Sequence, residues 1–133
     1  MAAAKHSASK RSVSAQARRK QLIMATIKCI AQKGLSALTM ADITTEAGLS
    51  QGIVNLHFQS KEKLLIETLR YISDEYRSGL DNIFHDPKKT TAEKITAHIR
   101  YDFSRTIIDR NKLAVWFAFW GETKSRPTYL SIC

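Results

Sequence analysis

Apolar residues recur at helical spacing along most of the chain, and nowhere do they alternate as a half-buried strand would. Leu22, Ile23, Thr26, Ile27, Ile30 and Ala31 mark one face of a first helix, predicted from about Gln16 to Lys33, and Gly34 supplies a left-handed stop. Thr39 with Asp42 three residues on is a variant of the capping box, opening a short second helix through Met40, Ile43 and Ala47 that Gly48 ends. Ser50 is placed to cap a third helix, Gln51 to about Phe58, in which Ile53 and Val54 point inward while Gln51, Asn55 and His57 stay polar. Two helices this short cannot stand alone and need their longer neighbours as a floor.

Ser60 caps the longest element, whose stripe of Leu65, Leu69, Ile72, Tyr76, Leu80 and Ile83 runs until Asp86-Pro87 breaks it. Thr90 with Glu93 opens a fifth helix on which Ile95, Ile99, Phe103 and Ile107 share a face. Asn111 is the expected cap of a sixth, through Leu113, Trp116, Phe117 and Trp120 to about Lys124. The pattern predicts an all-α protein with three parts. Residues 1–15, without apolar periodicity, form a disordered basic arm; residues 16–62 form a three-helix head with a helix-turn-helix; residues 63–133 form an incomplete helical effector and dimerisation domain.

Charge sharpens this division. Residues 1–63 carry ten Lys and Arg against three acids, a net of +7, whereas the remainder carries eleven against nine. A positive field confined to one end attracts polyanions, with nucleic acid the usual partner and an anionic membrane surface or acidic protein the competitor. Two cysteines, Cys29 and Cys133, give neither a disulfide framework nor metal-ligand spacing, which suits a reducing compartment such as the cytoplasm. No secretory leader and no membrane-spanning run is visible. Catalytic spacings are absent too: His6, His57, His85 and His98 are scattered, and there is no glycine-rich phosphate loop, metal motif or activated nucleophile, so neither enzyme nor cofactor is expected.

Helix, tight turn and helix within Thr39 to Phe58 is the geometry that presents a helix to the major groove. The amides of Gln51 and Asn55 suit base edges, His57 suits a base or a phosphate, and Leu56 suits a thymine methyl. Arg18 and Arg19, with Lys20, lie beside the arm as candidate backbone contacts. The competing reading is that these groups only solvate a surface hairpin.

The runs Leu38-Thr39-Met40-Ala41-Asp42-Ile43, Glu46-Ala47-Gly48-Leu49-Ser50-Gln51-Gly52 and His57-Phe58-Gln59-Ser60-Lys61-Glu62-Lys63-Leu64-Leu65 resemble the signature of the TetR family of repressors. The resemblance implies a sequence-specific repressor, acting as a homodimer on a palindromic double-stranded DNA operator. In that arrangement Thr39 and Lys61 meet phosphates, Ser50 caps the reading helix, and Gln51, Gly52, Asn55, Leu56 and His57 face the groove. Asn55 stands where the family usually has Tyr, which implies a different operator preference. The runs Lys112 to Trp120 and Arg126 to Tyr129 are similar to the members of that family that control choline-to-betaine genes. They imply a small cationic effector such as choline or betaine aldehyde, held by rings drawn from Tyr101, Trp116, Phe119 and Trp120. An aromatic stripe at this spacing serves equally as core or dimer surface. Family members are usually longer by several helices, hence the expectation of an incomplete body.

Overall fold

The computed structural model describes the backbone of residues 2–133 and the side chains of residues 14–133. Seven helices and no strand occur among them: α1 Ala2–Lys33, α2 Met40–Ala47, α3 Gln51–Phe58, α4 Lys61–Phe84, α5 Thr91–Asp102, α6 Arg110–Glu122 and α7 Pro127–Ile132. α1 begins well before the expected Gln16, because residues 2–33 contain neither Gly nor Pro and the early stretch is rich in Ala, Lys and Arg. The expectation of a basic arm rested on Lys5, Lys10 and Arg11, whose side chains lie outside the described residues.

Capping fixes the next three helices. The Thr39 side chain accepts from the Asp42 N–H while the Asp42 carboxylate accepts from the Thr39 N–H, and Gly48 closes α2 at φ 65°. The Ser50 hydroxyl accepts from the Ile53 N–H at 3.4 Å, and that of Ser60 from the Lys63 N–H at 3.2 Å. These helices wrap one core. Leu22, Ile27 and Ile30 of α1 meet Leu38, Ile43, Val54, Phe58, Leu64 and Leu69, all buried, while Ile53 is half-buried. Burial of side chains of this size stabilises by roughly 1.5–3 kcal/mol each before entropy is charged.

The body joins the same core through Val115 and Phe119 of α6 and Tyr129 and Ile132 of α7. Three of its features differ from the sequence expectation. α5 stops at Asp102, so Phe103 is its C-cap and Ile107 lies in the following turns. Asp109 rather than Asn111 caps α6, its carboxylate accepting from the N–H groups of Asn111 and Lys112 at 3.0 Å each. α7 was not anticipated; Pro127 at its first turn is the sequence signal for it. α5 contributes no buried residue, leaving Ile95, Ile99 and Phe103 exposed. Tyr101 ties α5 to α4: its ring stacks on Tyr76 with centroids 5.8 Å apart and its hydroxyl donates to the Glu75 carbonyl. A Cβ at Gly79 would clash with the Tyr101 Cζ, so a larger residue there would displace the ring from this seat.

Candidate nucleic-acid interface

α3 is two-faced. Val54 and Phe58 are buried against α1 and α4, and the opposite side carries Gln51, Gly52, Asn55 and Leu56, all exposed, with Leu56 at 78%. Singly exposed leucines are common on protein surfaces; what suits contact with a partner is the grouping of Leu56 with two amides on one outward face. The Gln51 amide donates to the Asn55 Oδ1 at 3.3 Å, so the two side chains lie side by side one turn apart. Gly52 faces open space: a Cβ there would meet only the Ser50 Oγ, at 3.9 Å. The fold therefore does not demand glycine at Gly52, although glycine in a helix costs about 1 kcal/mol relative to alanine.

The other predicted contacts divide. Thr39 and Ser50 are exposed at the starts of α2 and α3, where unpaired N–H groups favour anions. Arg18 is exposed, donating to the Gln21 Oε1 at 3.0 Å, and Lys20 is exposed beside it. Lys61 is half-buried, and its ammonium donates to the Leu38 carbonyl at 2.9 Å. His57 is half-buried, with its carbonyl accepting from Arg19. Arg19 thus differs most from the surface cation suggested by the sequence: one guanidinium nitrogen reaches the His57 carbonyl at 2.6 Å, another lies 3.8 Å from Glu67, and the group stacks 4.4 Å over the Phe58 ring. Pairing with Lys28 and Lys33 similarly occupies Glu46 and Asp42, each at 2.5 Å. Lys33 and the cap hydrogen bonds hold the Asp42 carboxyl down at about 2, from an ordinary 3.8.

In the body, a cleft of about 340 Å³ opens between α4, α5 and α6, lined by Tyr76, Asp102, Ile107, Leu113, Trp116, Phe117, Trp120 and Cys133. Two of the four aromatic candidates line it, Trp116 and Trp120, with ring centroids 5.7 Å apart. Phe119 does not: it is fully buried, packed edge-on against Tyr129 at 4.8 Å. Tyr101 is turned toward Glu75 and Tyr76 instead. Asp102, which the sequence did not single out, accepts from the Tyr76 hydroxyl at 2.9 Å; burial and then this bond push the Tyr76 phenol up. No cluster of His, Cys, Asp and Glu suited to a metal occurs among the described residues, and no helix among them is long and apolar enough to cross a membrane.

A capped, outward-facing helix on a three-helix floor, with a helical layer behind it, is the architecture of a helix-turn-helix regulator. Residues 22–68 match the family described as "Bacterial regulatory proteins, tetR family", and the chain belongs to that family. It is 32% identical over 111 residues, 83% of its length, to the HTH-type transcriptional regulator BetI of Escherichia coli strain UMN026. The chain spans 57% of the length of that relative. Among solved structures it is similar to a transcriptional regulator of Pseudomonas aeruginosa PAO1, with a TM-score of 0.78 and 26% identity over 88% of this chain and 56% of that one. A TetR-family regulator of Mesorhizobium loti shares the fold, with a TM-score of 0.74 at 17% identity, covering 89% of this chain and 59% of its own.

Proposed function

We propose that this chain is a sequence-specific DNA-binding transcriptional repressor whose α3 lies in the major groove of a palindromic operator. The observation that carries this reading is the outward face of α3, with Gln51, Gly52, Asn55 and Leu56 exposed on a helix capped at its start and buried along its back. A groove about 12 Å wide accepts one such helix. There the Gln51 and Asn55 amides exchange their mutual bond for base edges, Leu56 meets a thymine methyl, and Gly52 lets the backbone come close. The N-termini of α2 and α3, at Thr39 and Ser50, face phosphates with Arg18. Lys61 has two N–H donors left for a phosphate beyond the one given to Leu38. Two copies of the chain place two such helices on half-sites about 34–36 Å apart.

The effector arm of the proposal rests on the cleft. Two indole faces beside the Asp102 carboxylate suit a small quaternary cation, the class that includes choline and betaine aldehyde. α4 begins at the head and runs beside the cleft, which makes it the coupling element, and a coupling of about 1–3 kcal/mol changes operator affinity some 5- to 150-fold.

Selection from a random duplex library tests this reading. The expected result is one enriched palindrome, bound with an affinity that falls steeply as salt rises and released by choline or betaine aldehyde at concentrations that raise the melting temperature. Equal binding to all duplexes, together with co-sedimentation on anionic lipid vesicles, identifies the chain instead as a charge-driven membrane or acidic-surface binder.

A further inference from the structure

We propose that Arg19 is a positioning residue for DNA reading, fixing the end of α3 on α1 and α4 rather than contacting the phosphate backbone. The inference rests on the reading of α3 as the groove helix.

Two observations converge on the last turn of α3, and a third on that of α2. The Arg19 guanidinium donates to the His57 carbonyl at 2.6 Å, lies over the Phe58 ring with its Cζ 4.4 Å from the centroid and faces Glu67 of α4 at 3.8 Å. One α1 side chain therefore contacts the backbone of α3, an aromatic of its core face and an acid of the next helix. A planar fork of donors suits this triple role, which a lysine cannot reproduce. Second, α3 ends on Gln59 at φ 63° and ψ −39°, the centre of a tight γ-turn in which the Ser60 N–H donates to the Phe58 carbonyl at 2.6 Å, a strained conformation for a residue with a Cβ. Such a turn persists only when its surroundings over-determine it, and the clamp on the carbonyl two residues earlier is one such constraint. Third, α1 treats α2 in the same way: the Gln21 amide donates to the Ala47 carbonyl at 2.7 Å, in the last turn of α2. Both helices of the hairpin are thus registered on α1 through a carbonyl near their C-termini.

The consequence is functional because base reading is sensitive to pose. Asn55 and Leu56 lie one turn or less from the clamped carbonyl, so loosening the end of α3 shifts the groups that meet base edges while leaving the grip on phosphates intact. A backbone-contact role for Arg19 makes the opposite claim, that the grip on phosphates weakens and sequence preference does not.

The test uses the full-length chain, the duplex enriched from a random library and a scrambled duplex of the same length. Arg19→Met keeps the length of the side chain and removes the clamp. The affinity ratio between the two duplexes is expected to fall about tenfold, a size typical of losing one charge-assisted hydrogen bond, with the salt slope unchanged. A salt slope shallower by about 0.9, with both affinities falling together, would mean that Arg19 neutralises a phosphate and would overturn the proposal. Glu67→Gln serves if the Met variant is unstable, since it slackens the clamp without touching Arg19. The positioning role predicts a smaller ratio, whereas a free phosphate-binding Arg19 predicts stronger binding to both duplexes and the ratio intact. Hydrogen exchange in the absence of DNA gives an independent reading: amides of residues 57–60 should exchange faster in Arg19→Met, and unchanged exchange contradicts the clamp. A wild-type chain that enriches no duplex sinks the DNA reading and the positioning role with it. Enrichment by the wild type with an undiminished ratio in both variants sinks only the role of Arg19.

Discussion

Phe58 and Phe103 are the same side chain in opposite circumstances, and the contrast divides the molecule. Phe58, at the end of α3, is 2% exposed beneath Arg19, whereas Phe103, at the end of α5, is 75% exposed. The head supplies most of the shared core, and every helix start from α2 to α4 is capped by a side chain. The body shares that core only through α6 and α7, leaving an apolar face on α5 and ring surface on Phe117 and Trp120. If α3 reads base edges as proposed, the head needs rigidity of its own to hold those groups in register, and a body that responds to an effector belongs to the less consolidated end of the stability range.

The sharpest way to break this comparison is to truncate both phenylalanines. Phe58→Ala should lower unfolding stability by about 3–5 kcal/mol, whereas Phe103→Ala should change it by no more than about 0.5 kcal/mol. Urea unfolding monitored by circular dichroism compares the two, and equal losses would erase the distinction. Next in size is the cap of α2, where Thr39→Ala is expected to cost about 1 kcal/mol by the same measurement. Gly52→Ala sharpens the functional side, because stability and binding should move in opposite directions. Alanine fits the empty space and favours the helix by up to about 1 kcal/mol, while its methyl obstructs the approach to DNA. A variant both more stable and fully able to bind would remove Gly52 from the interface.

The smallest effect concerns acid. The folded Asp42 carboxyl titrates at about 2 instead of 3.8, so its contribution is fully present above pH 4 and is lost as pH falls through 2. Glu93, held down by the Thr90 N–H and hydroxyl, works in the same direction at the start of α5. Melting temperature measured from pH 5 to 2 should fall less steeply in Asp42→Asn than in the wild type.

Most of the head was legible because its boundaries are written in local chemistry. Thr39, Gly48, Ser50 and Ser60 each specify a backbone conformation within three residues of themselves, and α2, α3 and α4 start where those residues place them. What escaped depends on distance. Arg19 reads as a surface cation until the fold brings the His57 carbonyl to it from 38 positions away. Likewise, the spacing that groups Phe103 and Ile107 with Ile95 and Ile99 continues beyond the point where α5 ends, since apolar spacing alone carries no stop signal. Asp109 and Asn111 are both competent caps, and only the geometry of the preceding turn decides between them. Within the aromatic run of α6, spacing placed Trp116 and Trp120 on one face, but the burial of Phe119 against Tyr129 required α7, six residues long and not anticipated.

Base reading by the outward face of α3 is measured directly by single-base-pair substitution of the enriched duplex. Each amide truncation, Gln51→Ala and Asn55→Ala, is predicted to abolish discrimination at one or two base pairs, worth about 1–3 kcal/mol, and to leave the salt slope unchanged. Discrimination retained at every position in both variants would contradict it.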